Sequence, residues 1–401
     1  MTTLHSRKSI GRLPWTLAVC LTLATLGLGF SANAQERKTT FITFDVPGAG
    51  TGPFQGTAGY AINPAGEIAG QYLDASNVYH GFVRTPNGAI STFDAPGAGT
   101  GLFQGTAVRS INPEGAIEGF SVDASNVLHG FLRALNGTLT TFDAPGAGMG
   151  PFQGTLAANI NPAGAIAGYY FDANNVYHGF VRAPDGTITS FDAPGAGTGP
   201  GQGTFTGMVD CFNPAGAIAG GILDASNVYH GLVRAPNGAI TTFDVPGAGT
   251  GLFQGTNPGG INPAGEINGI YIDSSGVIHS FVRSPNGTIT TFDVPGAGTG
   301  PGQGTFPANI NASGAVTGWY IDSSGVNHGF LRAPDGTITT FDAPDAGTGP
   351  GQGTLPYCNN ASDAITGLYL DSNNTLHGFL RAAPPRPTPT PRPRPTPRPR
   401  T

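Results

Sequence analysis

A 49-residue repeat is the feature that most constrains the fold of this chain. The dipeptide Phe-Asp recurs at a spacing of 49 residues, broken once by 52, with its phenylalanines at Phe44, Phe93, Phe142, Phe191, Phe243, Phe292 and Phe341. The three additional residues lie within the sequence TFTGMVDCFNP. Self-similarity at such a period indicates an array of supersecondary units that bury their apolar surfaces against one another.

Each repeat contains four short segments of β-type composition. In the second repeat these are TAVRSIN, AIEGFSVD, VLHGFLR and TLTTFD, separated by the turn sequences PEG, ASN and ALNG. Val, Ile, Thr and aromatic residues favour strands, and Asn-Pro, Asn-Gly and Asp-Gly mark turns. No sustained helical periodicity occurs beyond the first 34 residues. Four strands in 49 residues match the size of one β-propeller blade.

The connections between strands predict how the blades are joined. Short turns link the strands of a repeat, whereas a glycine-rich connection of about ten residues follows each Phe-Asp, as a return from the outermost strand to the next innermost strand requires. The seventh repeat lacks its fourth strand, and Thr39 to Asp45, TTFITFD, supplies one at the other end. We therefore predict an all-β, seven-bladed β-propeller of four-stranded blades, its ring closed by the N-terminal strand.

The N-terminal residues, 1–34, have the composition of a signal peptide. Three basic residues precede an uncharged run from Leu13 to Phe30, and Ala32-Asn33-Ala34 offers small residues for cleavage before Gln35. The protein is therefore predicted to be secreted or extracellular, or to lie in the cell envelope, with no membrane span after cleavage. Retention of the segment as an anchor is the alternative, because its apolar run is near the lower limit for spanning a bilayer.

The repeat body, residues 39–383, is acidic, and the tail that follows it is basic. Between the leader and the tail, 10 Lys and Arg face 24 Asp and Glu, a balance of 10 − 24 = −14, which argues against nucleic acid as a partner. Residues 384–401 alternate Pro with Arg and Thr and are predicted to be disordered and extended. This tail could be solvated, touch anionic envelope polymers or touch its own body. A cell-envelope glycan or a protein is the expected partner, and the chain is expected to be a monomer.

One Asp and one His recur in every repeat, six residues apart. The pairs are Asp74 and His80, Asp123 and His129, Asp172 and His178, Asp224 and His230, Asp273 and His279, Asp322 and His328, and Asp371 and His377. We predict that the Asp caps the turn before the third strand and accepts from the imidazole, a structural role. Because the seven histidines lie on different blades, they cannot share one metal ion. We predict no metal, no cofactor and no catalytic residue, and expect the repeated Arg84 to pair with an acid or to extend along the surface.

The recurring units D-x-S-N/G-V-x-H-G-F-V/L-R and T-x-F-D-x-P-G-A resemble the HAF-type extracellular repeat. That family of bacterial exported proteins takes its name from a His-Ala-Phe motif, which here reads His80-Gly81-Phe82, with His-Ser-Phe at 279–281 and His-Gly-Leu at 230–232. The resemblance spans residues 39–383. It implies secretion and a repeated β architecture, and it supplies no activity and no catalytic residues.

An enzyme would need residues that depart from the repeat and converge on one site. The departures lie at Glu67, Arg109, Glu114, Glu118, Asp210, Cys211, Glu266, Trp319, Tyr357, Cys358 and Asp363, scattered through the repeats. Glu67 and Glu266 share a repeat position, so a paired-carboxylate glycosidase would require them to face each other at about 5–10 Å. Cys211 and Cys358 fall on nearly opposite blades, so we predict that they stay reduced and form no disulfide except under stress.

A ring of glutamines is the candidate binding site. One Gln precedes each innermost strand, at Gln55, Gln104, Gln153, Gln202, Gln254, Gln303 and Gln352. Their amides could surround the channel mouth and hold a glycan, a peptide or a water cluster; alternatively, each satisfies backbone groups of its own loop. The sequence thus predicts a binding or scaffold module. The alternatives are a hydrolase or lyase working at the channel mouth, and an amplified array selected mainly for stability.

Overall fold

The computed structural model describes residues 40–207 and 210–382, which form 28 β-strands and no helix. The predicted signal peptide, 1–34, and tail, 384–401, lie outside these residues. The described residues belong to one compact unit. Within them, nothing has the length and apolarity of a helix that could cross a membrane.

The strands form seven antiparallel groups of four, here called units 1 to 7. The first strands are β2 Gly56–Ile62, β6 Gly105–Ile111, β10 Gly154–Ile160, β14 Gly203–Thr206, β18 Gly255–Ile261, β22 Gly304–Ile310 and β26 Gly353–Asn359. The second strands are β3 Ile68–Leu73, β7 Ile117–Val122, β11 Ile166–Phe171, β15 Ile218–Leu223, β19 Ile267–Ile272, β23 Val316–Ile321 and β27 Ile365–Leu370.

The third strands carry the histidines and the fourth strands end at Phe-Asp. The third strands are β4 Tyr79–Arg84, β8 Leu128–Arg133, β12 Tyr177–Arg182, β16 Tyr229–Arg234, β20 Ile278–Arg283, β24 Asn327–Arg332 and β28 Leu376–Arg381. The fourth strands are β5 Ile90–Phe93, β9 Leu139–Phe142, β13 Ile188–Phe191, β17 Ile240–Phe243, β21 Ile289–Phe292, β25 Ile338–Phe341 and, for unit 7, β1 Phe41–Phe44.

Consecutive units meet where the third strand of one touches the first strand of the next. Tyr79 of β4 pairs in parallel with Gly105 of β6, and the same contact recurs at each junction, ending with Leu376 and Gly56. Gly105 has a φ of 116°, and a Cβ atom there would collide with the Tyr79 carbonyl oxygen. Only glycine tolerates both the dihedral and the approach, which explains why every first strand begins with glycine.

The ring closes between the two ends of the described chain. β1 pairs antiparallel with β28, in a register that sets Phe41 opposite Arg381 and Phe44 opposite Gly378. The first strands β18, β22, β26, β2, β6 and β10 contact one another in that order, so β26 meets β2. Unit 4 completes the circle, because β14 contacts β11 and β12 of unit 3 while β15 and β16 contact β18 of unit 5. The N-terminal strand therefore has the position that the repeat count predicts for it, and the all-β closed ring is consistent with a propeller.

Most of the core lies between units. Phe82 on β4 is fully buried, and its ring centroid is 6.0 Å from that of Phe44, which belongs to unit 7. Phe131, Phe180, Phe281, Phe330, Phe379 and Leu232 occupy the equivalent buried position. Burying one such side chain contributes about 1.5–3 kcal/mol, so each unit is stabilised by its neighbour.

The ring has two faces. One, here called the crossing face, carries the glycine-rich connections and the turns between second and third strands. The other, called the Asn-Pro face, carries the turns such as Asn63-Pro64 between first and second strands. This division follows from the up-and-down course of the strands in each unit.

Candidate binding site in the central channel

The repeated histidines have two acidic neighbours each. Asp74 Oδ1 accepts from the backbone N–H groups of Ser76 and Val78, so it caps the turn as predicted, while its Oδ2 lies 3.7 Å from His80 Nε2. The closer partner is Asp94, whose Oδ1 is 2.9 Å from His80 Nδ1. Sequence reasoning missed Asp94, although it is the Asp of the Phe-Asp dipeptide that defines the repeat.

The same Asp-His-Asp arrangement recurs in every unit. The closer acids are Asp94, Asp143, Asp192, Asp244, Asp293, Asp342 and Asp45, at 2.8–3.1 Å from the Nδ1 atoms. Burial alone would raise the pKa of Asp74, but the N–H groups of Val78 and Ser76 and the adjacent His80 hold it below its ordinary value. Within residues 40–207 and 210–382, His, Cys, Asp and Glu side chains form no group of three suited to a metal ion.

The repeated arginines stack on aromatic rings. Arg84 Cζ lies 5.0 Å from the ring centroid of Phe44 in the preceding unit, and the other six arginines make the same contact at 4.6–5.1 Å. The expectation of an acidic partner for Arg84 is therefore wrong. The packing between units places an aromatic face, rather than a carboxylate, beneath the guanidinium group.

The predicted glutamines turn into their own loops. Gln55 Oε1 accepts from the Gly52 N–H at 3.0 Å, and its Nε2 donates to the Ala75 carbonyl at 3.2 Å. All seven make the first contact and six make the second. None of them lines the two channel cavities described below. Their ligand role stays a prediction, and the bonds show that they organise the crossing connections.

Four phenylalanines on the crossing face have left-handed backbone. Phe54, Phe103, Phe152 and Phe253 have φ angles of 57–64° and are 51–71% exposed. The other three connections carry Gly201, Gly302 and Gly351 at this position. A non-glycine residue in this conformation costs about 1–2 kcal/mol, and an exposed ring recovers little of that cost by packing. Two of the rings have an aromatic neighbour, because the Phe103 and Tyr79 centroids and the Phe253 and Tyr229 centroids are each 6.4 Å apart.

A β-bulge in the first strands directs one residue of each affected unit into the channel. In β2 the pairing with β3 shifts between Gly59 and Ala61, which leaves Tyr60 outside the ladder. In β6 the same shift frees Arg109, and in β26 it frees Tyr357. A bulge re-aims the side chain of its additional residue, so three large side chains at one repeat position meet in the ring's centre.

These residues line a cavity of about 290 Å³ in the half of the channel nearer the crossing face. Six of its sixteen lining residues are aromatic, namely Tyr60, Tyr169, Phe205, Phe306, Trp319 and Tyr357. Phe306 and Trp319 stack with centroids 5.3 Å apart and planes 5° apart. Tyr357 lies 5.8 Å from Trp319 and 4.9 Å from Tyr60, so the rings form a continuous band across units 6, 7 and 1.

Arg109 supplies the cationic group of this cavity. Its guanidinium carbon lies 5.6 Å from the Tyr60 centroid and 5.1 Å from that of Phe120. Glu118 is fully buried nearby, and neither carboxylate oxygen has a partner among the described residues. Burial raises the pKa of Glu118 well above its ordinary value despite the opposing effect of Arg109, which favours the uncharged acid. The Arg109 guanidinium group therefore has no carboxylate partner at hydrogen-bond distance among the described residues.

The insertion in unit 4 reaches across the channel beneath the cavity. Asp210, at a φ of 43°, accepts from Asn159 Nδ2 at 3.2 Å and from Asn309 Nδ2, and lies 3.8 Å from Cys358 Sγ. One side chain thus links units 3, 6 and 7. Burial raises the pKa of Asp210, although the amide donors oppose this shift. Beyond it, the Asn-Pro turns surround a second cavity of about 180 Å³.

Cys211 and Cys358 are buried and unpaired, which confirms the prediction that they form no disulfide. Burial raises the pKa of both thiols, so neither is activated as a nucleophile. Glu67 and Glu266 each accept from the Asn of their own turn, Asn63 and Asn262, at 2.7 Å. Neither carboxylate lines a channel cavity, so the structure gives the paired-carboxylate hypothesis no support.

Departures from the repeat that look scattered in the sequence are therefore partly gathered in space. Arg109, Trp319 and Tyr357 share one cavity, joined by Tyr60, which the sequence analysis did not single out. The sequence does contain a signal for this grouping, because Tyr60, Arg109 and Tyr357 occupy the same repeat position. By contrast, Glu114 is exposed on the Asn-Pro face, far along the strand from this band.

The fold and this cavity define a class: a closed ring of repeated β units with an aromatic-lined cavity on its axis. No protein-family model matches the chain, and no curated protein matches it. Among solved structures, the BP39L lectin from Burkholderia pseudomallei is similar at 10% identity and a TM-score of 0.48, over 82% of this chain and 99% of the lectin.

Two further structures show the same kind of likeness. Puromycin hydrolase matches at 13% identity and a TM-score of 0.44, over 79% of this chain and 50% of the hydrolase. The Aleuria aurantia lectin, described as a six-bladed β-propeller, matches at 13% identity and a TM-score of 0.36, over 77% of this chain and 98% of the lectin. At such low identities and TM-scores, these likenesses carry no argument about what this chain binds.

Proposed function

We propose that this protein is an exported, seven-bladed β-propeller of the HAF repeat type that acts as a binding module at or outside the cell envelope, with its ligand in the aromatic cavity. The observation that carries the proposal concerns the residues at the bulge position of the first strands. At this position three units carry the large side chains Tyr60, Arg109 and Tyr357 where others carry Ala or Gly, and the three meet in one cavity. A structural array has no need of this difference, whereas a ligand site does.

The lining favours a ligand with one apolar face and one anionic group. Stacked rings such as Trp319 and Phe306 offer flat surfaces to the C–H face of a sugar or to another ring. Arg109 offers a planar donor set that matches a carboxylate. The volume of about 290 Å³ accommodates one or two sugar residues at most. An acidic sugar, such as the uronic acid of an envelope glycan, meets all three conditions.

Trp319 makes this proposal directly testable, because it is the single tryptophan outside the predicted signal peptide. Its fluorescence should change saturably when the chain beginning at Gln35 is titrated with oligogalacturonates or glucuronate. Arg109→Gln should weaken binding at least about tenfold, since a hydrogen bond to a charged group contributes about 1.5–3 kcal/mol. Matched neutral oligosaccharides should bind more weakly to the unchanged protein.

Arg133→Gln is the matched control. It makes the same change in charge, but Arg133 stacks on Phe93 between units and does not line the cavity. Binding should persist in this variant once its folding has been verified. Equal losses in both variants, or a fluorescence response to neutral and acidic sugars alike, would contradict the assignment of Arg109 to the ligand's anionic group.

A further inference from the structure

Exposed apolar side chains cluster on one side of the crossing face. Three consecutive connections, those entering units 1, 2 and 3, carry Phe54, Leu102, Phe103, Met149 and Phe152, each more than half exposed. We call these five residues the apolar arc. The connections entering units 4, 6 and 7 carry glycine at the phenylalanine position, and the connection entering unit 5 carries a separate exposed pair, Leu252 and Phe253. The glycine-bearing connection of unit 4 separates that pair from the arc, which is the longest run of consecutive connections with exposed apolar side chains.

The same face is strongly acidic. The Asp of every His-containing turn and the Asp that ends every fourth strand lie there, fourteen side chains in all, as paired with the histidines in each unit. The arginines that end the third strands lie at the opposite face, and Arg109 lies in the channel. Within the described residues, the crossing face therefore combines exposed rings with excess negative charge.

The chain itself contains a segment with the complementary chemistry. Residues 384–401 hold nine prolines and five arginines and no acidic residue. Proline-rich segments favour the extended polyproline II form and dock onto exposed aromatic side chains. Arginine pairs with carboxylates and stacks on rings. An apolar surface flanked by aspartates therefore suits this segment better than it suits an anionic lipid surface or an acidic polymer.

We propose that the tail, residues 384–401, docks in cis onto the apolar arc of the crossing face. The last described strand, β28, ends at the Asn-Pro face, so the tail must first travel the height of one unit, about 20 Å for a six-residue strand. Eighteen residues in polyproline II form span about 56 Å. More than half of the tail therefore remains beyond that point, and this remainder is long enough to lie across neighbouring connections. This proposal is independent of the ligand assigned to the cavity.

The test places a fluorophore on the tail of the full chain from Gln35, through Thr401→Cys. The two native cysteines of that chain, Cys211 and Cys358, are buried, so labelling is selective. A docked tail should show high anisotropy that does not vary with protein concentration and falls in high salt. Phe103→Gly with Phe152→Gly should lower the anisotropy toward that of the free labelled tail peptide.

Glycine is the residue that three other connections already carry at this position, so these variants relieve strain and preserve the fold. Phe253→Gly makes the same change outside the arc and should leave the anisotropy high. Anisotropy equal to that of the free peptide in the unchanged protein would overturn the proposal. So would a signal that survives Phe103→Gly with Phe152→Gly, or one that appears only at high concentration and so reports the tail of a second copy.

Discussion

His377 and Asp45 are 332 positions apart in the chain, yet His377 Nδ1 lies 3.0 Å from Asp45 Oδ1. This is the contact that His80 makes with Asp94 and that every other unit repeats within 14 residues. The last unit is therefore built from both ends of the described chain, and its histidine depends on a strand that is translated first.

Removal of the closing strand should destabilise the ring. Deletion of residues 39–45 removes the half-buried Phe41 and Phe44, uncovers the buried rings of Phe379 and Phe82 that they contact, and exposes the edge of β28. We expect a lower melting temperature, since each lost aromatic burial costs about 1.5–3 kcal/mol, and association through the open edge. Circular dichroism and light scattering would measure both. Deletion of residues 35–38 is the control, and an unchanged melting temperature in the longer deletion would contradict strand closure.

The turn-capping aspartates should make stability fall in acid. The pKa of Asp74 and of its counterparts is lowered in the folded protein by backbone N–H donors and the adjacent His, against the effect of burial. A lowered folded pKa stabilises the protein above the unfolded value, about 3.9, and that contribution is lost as pH falls through the folded value. Denaturant midpoints should drop below about pH 4. Asp74→Asn removes one of the seven aspartates and should therefore reduce this loss of stability only in part. A denaturant midpoint that stays constant from about pH 5 to about pH 3 would contradict the turn geometry.

Glu118→Gln should raise stability at neutral pH. The pKa of Glu118 is raised by burial, so the folded state holds a proton that the unfolded state releases above about pH 4.3. Stability is therefore lost as pH rises from the unfolded pKa toward the folded pKa, at about 1.4 kcal/mol for each pH unit within that interval. Above about pH 4.3, unfolding of the variant should depend less on pH than unfolding of the unchanged protein. Glu114→Gln changes an exposed residue and should leave the pH dependence of unfolding unchanged. The same pH dependence in both variants would contradict the burial of the Glu118 carboxyl group.

The cysteines should be inert until the protein unfolds. Cys211 and Cys358 are at most 2% exposed and have raised thiol pKa values because of burial. Thiol titration of the chain from Gln35 should find no reactive group in the native state and two after denaturation. Fewer than two after denaturation without reductant would indicate a disulfide and contradict the channel geometry.

Gln104→Ala separates the two roles considered for the repeated glutamines. The side chain is 9% exposed and bonds to Gly101, Ala124 and Asn126. If it organises the connection, the variant should lose about 1–3 kcal/mol of stability through unsatisfied backbone groups, with ligand binding in the cavity unchanged. A variant of full stability that no longer binds acidic or neutral glycans on an array would instead support the ligand role.

Much of the architecture could be predicted from the sequence because every repeat carries the same turn sequences at the same positions. Asn-Pro and Asn-Gly turns separate strand-forming segments, and the displaced TTFITFD segment supplies the missing fourth strand. Asp74 caps its turn as predicted because the acceptor and both donors lie within four residues of one another. Local interactions of this kind are encoded in the spacing of a few neighbouring residues.

Prediction failed for contacts that depend on strand pairing or on packing between units rather than on neighbouring residues in the sequence. The ring of Phe44 beneath Arg84 belongs to another unit, so the sequence suggested only an acidic partner or a side chain extended along the surface. Asp94 was overlooked because the pairing of β4 with β5, not proximity in sequence, carries it to His80.

The sequence by itself determined the number of units, their four strands and the origin of the closing strand, because these depend on periodicity and on local turn chemistry. Only the tertiary structure decided where the site lies. A one-residue bulge turns Tyr60, Arg109 and Tyr357 out of their ladders. Closure of the ring then brings side chains from units far apart in the sequence around one axis. Convergence of this kind depends on the curvature of the whole circle, which no single repeat contains.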